Sequence, residues 1–237
     1  MAAKLSCCCP SDDAEPVGLI AYGQPVSHRY WPLFGLRLRT ADLELRVATE
    51  ADLVELADIL PDDVELDPGL PGYDFGDPHL ARGAAIFQGY WRAFGNWRPD
   101  SWAVPFLVLR DGELIGQQVL EGDDFPRLRT VDSSSHLATR ARGRGYGKQM
   151  RDAVLALAFG PLEATCAITS AWRDNQASLG VSRALGYRPN GQRLHRRGES
   201  ADVMIHLRLS REDWLARVDR PRVEIIGYEE CRPLFGL

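Results

Sequence analysis

RARGRGYGKQM, residues 140–150, sets three glycines at alternate positions among four arginines and lysines, then runs into a helical pattern. A loop of this kind cradles a phosphate, lies along nucleic acid, or is a tight basic turn. Its spacing excludes two nucleotide-binding motifs. A Walker A loop needs glycine, four residues, then Gly-Lys followed by Ser or Thr; here Arg142 stands where the first glycine belongs and Gln149 follows Lys148. A dinucleotide fingerprint needs Gly-x-Gly-x-x-Gly, whereas Gly143, Gly145 and Gly147 sit two apart. The context still favours an anion. A strand ends, small residues let the backbone amides face inward, and a helix N-terminus with its partial positive charge follows. Arg142, Arg144 and Lys148 add mobile positive charge.

The 237 residues are 45% hydrophobic and 26% charged, which suits one globular domain with a core and an additional arm. A net charge of −5 argues against a protein built to neutralise a nucleic-acid backbone, so the basic loop is a local feature. No apolar run approaches the roughly 18–20 residues that cross a bilayer, and MAAKLSCCCPSDDAEPVG at the start lacks the apolar stretch of a secretory signal. Composition predicts a disordered leader over residues 1–25, a domain over 26–220 and a C-terminal extension, 221–237, that docks or trails. The cysteines are Cys7, Cys8, Cys9, Cys166 and Cys231. They form neither a disulfide framework nor a Cys-x-x-Cys zinc pair, which predicts a cytoplasmic protein without a metal.

Alternation in LRLRTADLELRV (36–47) predicts one half-buried strand. Thr49 and Asp52 form a capping box before a helix through Leu53, Leu56, Ile59 and Leu60. Residues 61–77 read as a loop with six acids: Asp62, Asp63, Glu65, Asp67, Asp74 and Asp77. A helix over 78–94 carries Ile86, Phe87, Tyr90, Trp91 and Phe94 at helical spacing, a stripe read as core. WAVPFLVL (102–109) and ELIGQQVL (113–120) flank Asp111-Gly112 as a hairpin, with Pro105 at an edge or bulge. A strand over 127–138, the glycine loop, a helix over 145–159 and a strand over 162–172 follow. Asp174 is placed to cap a helix over 175–185 that stops at Gly186, before strands over 187–196 and 201–209. PLFGL occurs at 32–36 and 233–237, too short an identity to mark a repeat.

Two stretches together carry a resemblance: Arg142-Gly143-Arg144-Gly145-Tyr146-Gly147 between strand and helix, and Asp174-Asn175-Gln176-Ala177-Ser178 followed by Leu185-Gly186-Tyr187. Over residues 36–209 the chain resembles the GCN5-related N-acetyltransferase (GNAT) superfamily, in its RimJ/RimL-like branch, which acylates protein N-termini and small amines. The resemblance implies an α/β (α+β) GNAT fold: a mixed, mostly antiparallel sheet with a splayed central strand pair, flanked by helices. It implies acyl-CoA as co-substrate and direct transfer to an amine acceptor, with no nucleic acid, membrane or metal involved, and it allows a homodimer. Amides of Gly143, Arg144, Gly145, Tyr146, Gly147 and Lys148, with the Arg142 side chain, would hold the pyrophosphate. The splayed strand at His136 and Leu137 would hold the pantetheine through its backbone, and Asn175 would hold the pantetheine or the neighbouring strand.

Ser182 stands where many relatives carry a tyrosine acid, so the acid role passes to Ser178, as in the RimJ/RimL-like branch. Asp132 lies near the family's base position in place of the usual Glu; Glu121, Asp123 and Asp124 are water-mediated alternatives. The acidic segment 61–77 falls on the acceptor side, where it draws in a cationic amine or is simply solvated, the second being preferred. Trp97, Trp102 and Trp172 wall the pocket or, as preferred, pack in the core. The stretches YWPLFGLRL, DDFPRLRTVDSSS and CRPLFG resemble an actinobacterial subgroup in which some members use succinyl-CoA; acetyl is the superfamily's default. A succinyl carboxylate would require an arginine, a lysine or a donor cluster such as serines 133–135 at the acyl end. Against the enzyme stand a catalytically quiet acyl-CoA-binding module and a nucleic-acid binder, the latter disfavoured by net acidity.

Overall fold

The computed structural model describes residues 29–65 and 73–237; the expected leader with Cys7, Cys8 and Cys9, and Asp67 of the acidic segment, lie outside them. The stretch 36–47 is a hairpin rather than one strand. The Thr40 hydroxyl accepts from the Leu43 amide at 3.1 Å, and the Thr40 amide donates to the Leu43 carbonyl at 2.9 Å, which reverses the chain. Arg37–Arg39 (β1) and Glu44–Val47 (β2) pair antiparallel. The alternation survives the turn because Leu38 and Leu45 are register partners and bury on one face.

The Thr49/Asp52 capping box forms with both halves present and leads into Leu53–Asp58 (α1), while Arg46 clamps Asp52 at 2.6 and 2.8 Å. Asp77 caps Pro78–Gly95 (α2). The stripe on α2 is core only in part: Ile86, Tyr90 and Phe94 pack half-buried against the core, while Trp91 is 45% exposed. Asp111 and Gly112 take positive φ (51° and 83°), as a tight hairpin turn requires, and join Trp102–Arg110 (β3) to Glu113–Gly122 (β4). Pro105 lies one residue past the last β2–β3 pair, Val47↔Phe106, where its missing N–H interrupts no ladder.

Pro126 opens a short helix, Phe125–Leu128 (α3), so the next strand starts later than expected, at Thr130–Leu137 (β5). Tyr146–Phe159 (α4), Cys166–Trp172 (β6), Gln176–Ala184 (α5), Arg188–Arg197 (β7), Ser200–Ser210 (β8) and Arg211–Leu215 (α6) follow. The last stretch docks: Glu224–Ile226 (β9) pairs with β1, and Tyr228–Cys231 (α7) leads to a 3₁₀ turn that buries Phe235. Phe235 packs edge-on against Trp97 and Trp102, and the Trp97 indole donates to the Leu234 carbonyl at 3.0 Å. Both copies of PLFGL contribute to 3₁₀ turns, but the first buries Leu33 and Leu36 and the second Phe235, so they are no structural repeat.

The strand order is β7-β8-β6-β5-β4-β3-β2-β1-β9. Every pairing is antiparallel except β5–β6, which meet only at Thr130↔Cys166 and Val131↔Ala167. Two antiparallel halves therefore join at a two-residue parallel seam and diverge beyond it. Helix α4 lies against this sheet and is buried almost all round, through Met150, Val154, Leu157 and Phe159 among others. Full burial of each such side chain contributes about 1.5–3 kcal/mol.

Candidate active site

The fork and the glycine loop are built by the same connection. β5 stays with β4 from Val131 to Leu137, while β6 stays with β8 along its whole length. Gly116 permits the close approach on the β4 side, since a Cβ there would stand 2.3 Å from the His136 carbonyl. Beyond the fork, Gly143 and Gly145 take φ of 73° and 82°, open only to glycine at little cost, and present empty space where a Cβ would point. The amides of Gly143, Arg144 and Gly145 meet no acceptor among the described residues. This open row of N–H groups at the N-terminus of α4 fits a pyrophosphate.

The loop's side chains are otherwise engaged. Arg142 makes two bonds to Asp63 (2.6 and 2.7 Å) and one to the Leu137 carbonyl (3.2 Å). Lys148 meets Asp219 at 2.6 Å. Arg144 is exposed. Tyr146 is buried beneath the Arg110 guanidinium, so only its amide faces the loop.

A cleft of about 870 Å³ opens on the other face of the sheet. Register explains its lining: Gln117↔His136 and Val119↔Ser134 are cross-strand partners and all four reach it. Val64 and Glu65, Ile86 and Tyr90, Ser170 and Trp172, and Arg197 complete much of the wall. The α2 stripe thus serves partly as pocket wall, and Trp172 does so too, contrary to the packing role expected for it. Trp102 is buried as expected, at the edge of the same cleft. Glu121 and Asp123 line the cleft; Asp124 instead pairs with Arg127 before α3.

Asp132 shares a face with Glu121 and lines a smaller adjoining pocket of about 300 Å³ with Ser170 and His206. Burial raises its pKa, against the opposing pull of the Ser133 amide, 2.6 Å away, and of Arg151. His136 is driven the other way, to about 4, chiefly by burial and further by Arg142 and Arg82, and its Nε2 has no partner among the described residues. Asn175, rather than Asp174, caps α5: its Oδ1 accepts the Ser178 amide at 3.0 Å. The Asn175 amide donates to the Trp172 carbonyl, a turn that moves the cap one residue on and leaves Asp174 to pair with Arg197 at 2.8 Å. Ser178 is half-buried on the first turn of α5 and lies outside the cleft lining. The structure therefore gathers Asp132, His136, Glu121 and Ser170 on the acceptor face, and Arg142, Lys148 and the glycines on the other.

Sequence reasoning named serines 133–135 as donors but missed the arginine that meets Ser135 beneath the fork. Arg151 on α4 is 3% exposed and reaches Thr169 of β6 and Ser135 of β5, each at 3.3 Å, while Thr169 donates to the Ser133 carbonyl at 3.2 Å. Its Nε makes no close hydrogen bond among the described residues; the Ser133 and Tyr187 hydroxyls beside it make none of good geometry either, although Tyr187 lies near enough to Ser133 and Arg151 to interact with both. A signal was present: Arg151, Val154, Leu155 and Ala158 fall at helical spacing, which puts a cation inside an apolar stripe.

Among the described residues no group of three His, Cys, Asp or Glu could hold a metal, and no helix is long and apolar enough to cross a membrane. The acetyltransferase (GNAT) domain model matches residues 42–188. Mycobacterium smegmatis RimJ in complex with CoA-disulfide is similar in fold, with a TM-score of 0.60 at 16% identity, over 85% of this chain and 95% of that one. A mutant of SpeG, a spermidine N-acetyltransferase from Vibrio cholerae, gives 0.59 at 15% identity, over 76% and 99%.

The buried His136 generates a pH dependence of stability. The unfolded chain takes up this proton near pH 6.5, and the fold only near 4. Between these values the unfolded state binds more protons, so His136 makes stability fall as pH drops through the window. Urea unfolding between pH 7.5 and 4.5 should show a steeper loss for the wild type than for His136→Gln; parallel profiles would show that the imidazole is not held neutral.

Proposed function

The chain belongs to the acetyltransferase (GNAT) domain family of acyl-CoA-dependent N-acyltransferases, and on that premise we propose direct transfer of an acyl group to the primary amine of a small molecule or peptide N-terminus, as in the RimJ/RimL-like branch. One observation carries the reading: an open amide row on one side of β5 and a cleft on the other, with Glu121 and Asp123 on its β4 wall, meet at a fork in the sheet. Residues 143–147 would hold the pyrophosphate by their amides, with Arg142, Arg144 and Lys148 around them. The free edge of β5 at His136 and Leu137 would align the pantetheine so that the thioester passes into the fork. The amine, held in the cleft, forms the new C–N bond as the C–S bond breaks; it gives up a proton and the thiolate gains one.

Asp132 serves as base, through water and beside Glu121, and the rise of its pKa on burial makes it the stronger proton acceptor. Ser178 hydrogen-bonds the departing sulfur, and Asn175 orients it by capping its helix. Glu65, Glu121 and Asp123 with Tyr90 and Trp172 suit a cationic acceptor. The fold is shared with a spermidine N-acetyltransferase, which supports the same class. Ser178→Ala and Asp132→Asn should each lower kcat while CoA affinity holds; full activity in either would move that role elsewhere. Gly145→Glu, which puts a carboxylate in the open face of the loop, should abolish CoA binding by calorimetry with an unchanged circular dichroism spectrum.

For the donor, the group beneath the fork favours succinyl over acetyl. A buried guanidinium with two long bonds, no close partner for its Nε and only the distant pull of Asp132 for a counter-charge gains from an anion that completes it. A terminal carboxylate on the acyl chain does so. Arg151→Leu should lower kcat/KM for succinyl-CoA relative to acetyl-CoA about 10–100-fold, the worth of a charge-assisted hydrogen bond. An unchanged ratio would leave Arg151 a brace between the strands and acetyl the donor group.

A further inference from the structure

Residues 61–65 run along the side of the cleft and are fastened to both halves of the site by ion pairs of unequal strength. At one end Asp63 takes both Nη atoms of Arg142, at 2.6 and 2.7 Å. At the other, Glu65 takes the Nε of Arg197 at 2.7 Å; that guanidinium also serves Asp174 and Asp202 and lies over the Trp172 ring, 5.0 Å from its centroid. Arg82 of α2 donates to the Pro61 and Val64 carbonyls, which flank Asp63 along the chain. The Glu65 end is tied into a cluster of three carboxylates. The Asp63 end rests on one exposed pair.

We propose that Asp63 is an internal competitor for the donor's phosphate, and that its release on donor binding adds a carboxylate to the mouth of the acceptor cleft. This rests on the acyl-CoA reading above. A guanidinium fork accepts a carboxylate or a phosphate in the same bidentate geometry, and Arg142 can serve only one of them in that way. An exposed carboxylate pair contributes little, so it yields to an anion of higher charge that also takes the amides of residues 143–147. Because Arg82 holds the segment's backbone, the displaced Asp63 stays beside Val64 and Glu65, which line the cleft. The donor thereby exchanges an internal salt bridge for an added acidic group facing the amine. By linkage, an amine that engages Asp63 strengthens donor binding to the same degree.

Calorimetry of CoA against the wild type, Asp63→Asn, Arg142→Gln and the double variant at low salt tests the competition. Asp63→Asn should bind CoA about two- to fivefold more tightly, the range of an exposed ion pair, with no such gain when Arg142 is already Gln. An equal or weaker affinity, or the same gain in both backgrounds, overturns the role of Asp63. Failure of the wild type itself to bind CoA removes the acyl-CoA reading and this inference with it. The second arm titrates spermidine as the cationic probe, with and without saturating CoA. Tighter binding to the CoA-loaded wild type, lost in Asp63→Asn, supports the handover. Indifference to CoA, or no spermidine binding, overturns it.

Discussion

The whole site depends on how little of β5 touches β6. Two residue pairs join halves that are each continuous antiparallel sheets, and past Val131 the strands part because each is bound to a different neighbour. A parallel pair needs a crossover to bring its strands side by side, and the crossover here is α4 with its glycine loop. One connection therefore creates the gap, the helix N-terminus above it and the row of free amides. Had β5 and β6 zipped fully, the backbone groups of β5 proposed to meet the donor would be consumed within the sheet.

Electrostatics follow the same division. On the α4 side, buried charge is compensated unevenly: Asp152 is held by Arg217 at 2.7 and 3.2 Å and by the Trp214 indole, whereas Arg151, its neighbour, bonds hydroxyls and meets the Asp132 carboxylate only at a distance. The first arrangement is a satisfied buried pair whose removal would strand a charge. The second makes sense only with an added partner or as a bridge across the parted strands. On the cleft side the acids predominate near β4 and residues 61–65, while β7 and its turn supply arginines. The cleft thus lies between walls of opposite sign.

The sequence made the loop and most of the element order legible, because they rest on local chemistry: glycines at positive φ, a capping box, an Asp-Gly turn and alternating strands; the fork was expected only from the family resemblance. It was less informative where tertiary context decides. LRLRTADLELRV kept its alternation through a turn that a single threonine closes. The aromatic stripe on α2 looked like core because periodicity records apolarity, not whether a second layer covers it. Asp174 and Asn175 are both competent caps, and the Trp172 carbonyl chose between them. Arg151 and Arg197 were hidden among 28 basic residues; only the packing shows that one is entombed and the other grips three carboxylates.

The docked C-terminus bears on how an open sheet avoids recruiting strangers. One border is β9, only three residues long; the other is β7, kinked by a register shift between Pro189 and Gln192 and studded with arginines. A foreign strand seeking a straight, neutral margin finds neither. The few residues of β9 beyond β1 therefore do at their border what the arginines do at the far side, and the nine strands of the described residues end without an adhesive rim.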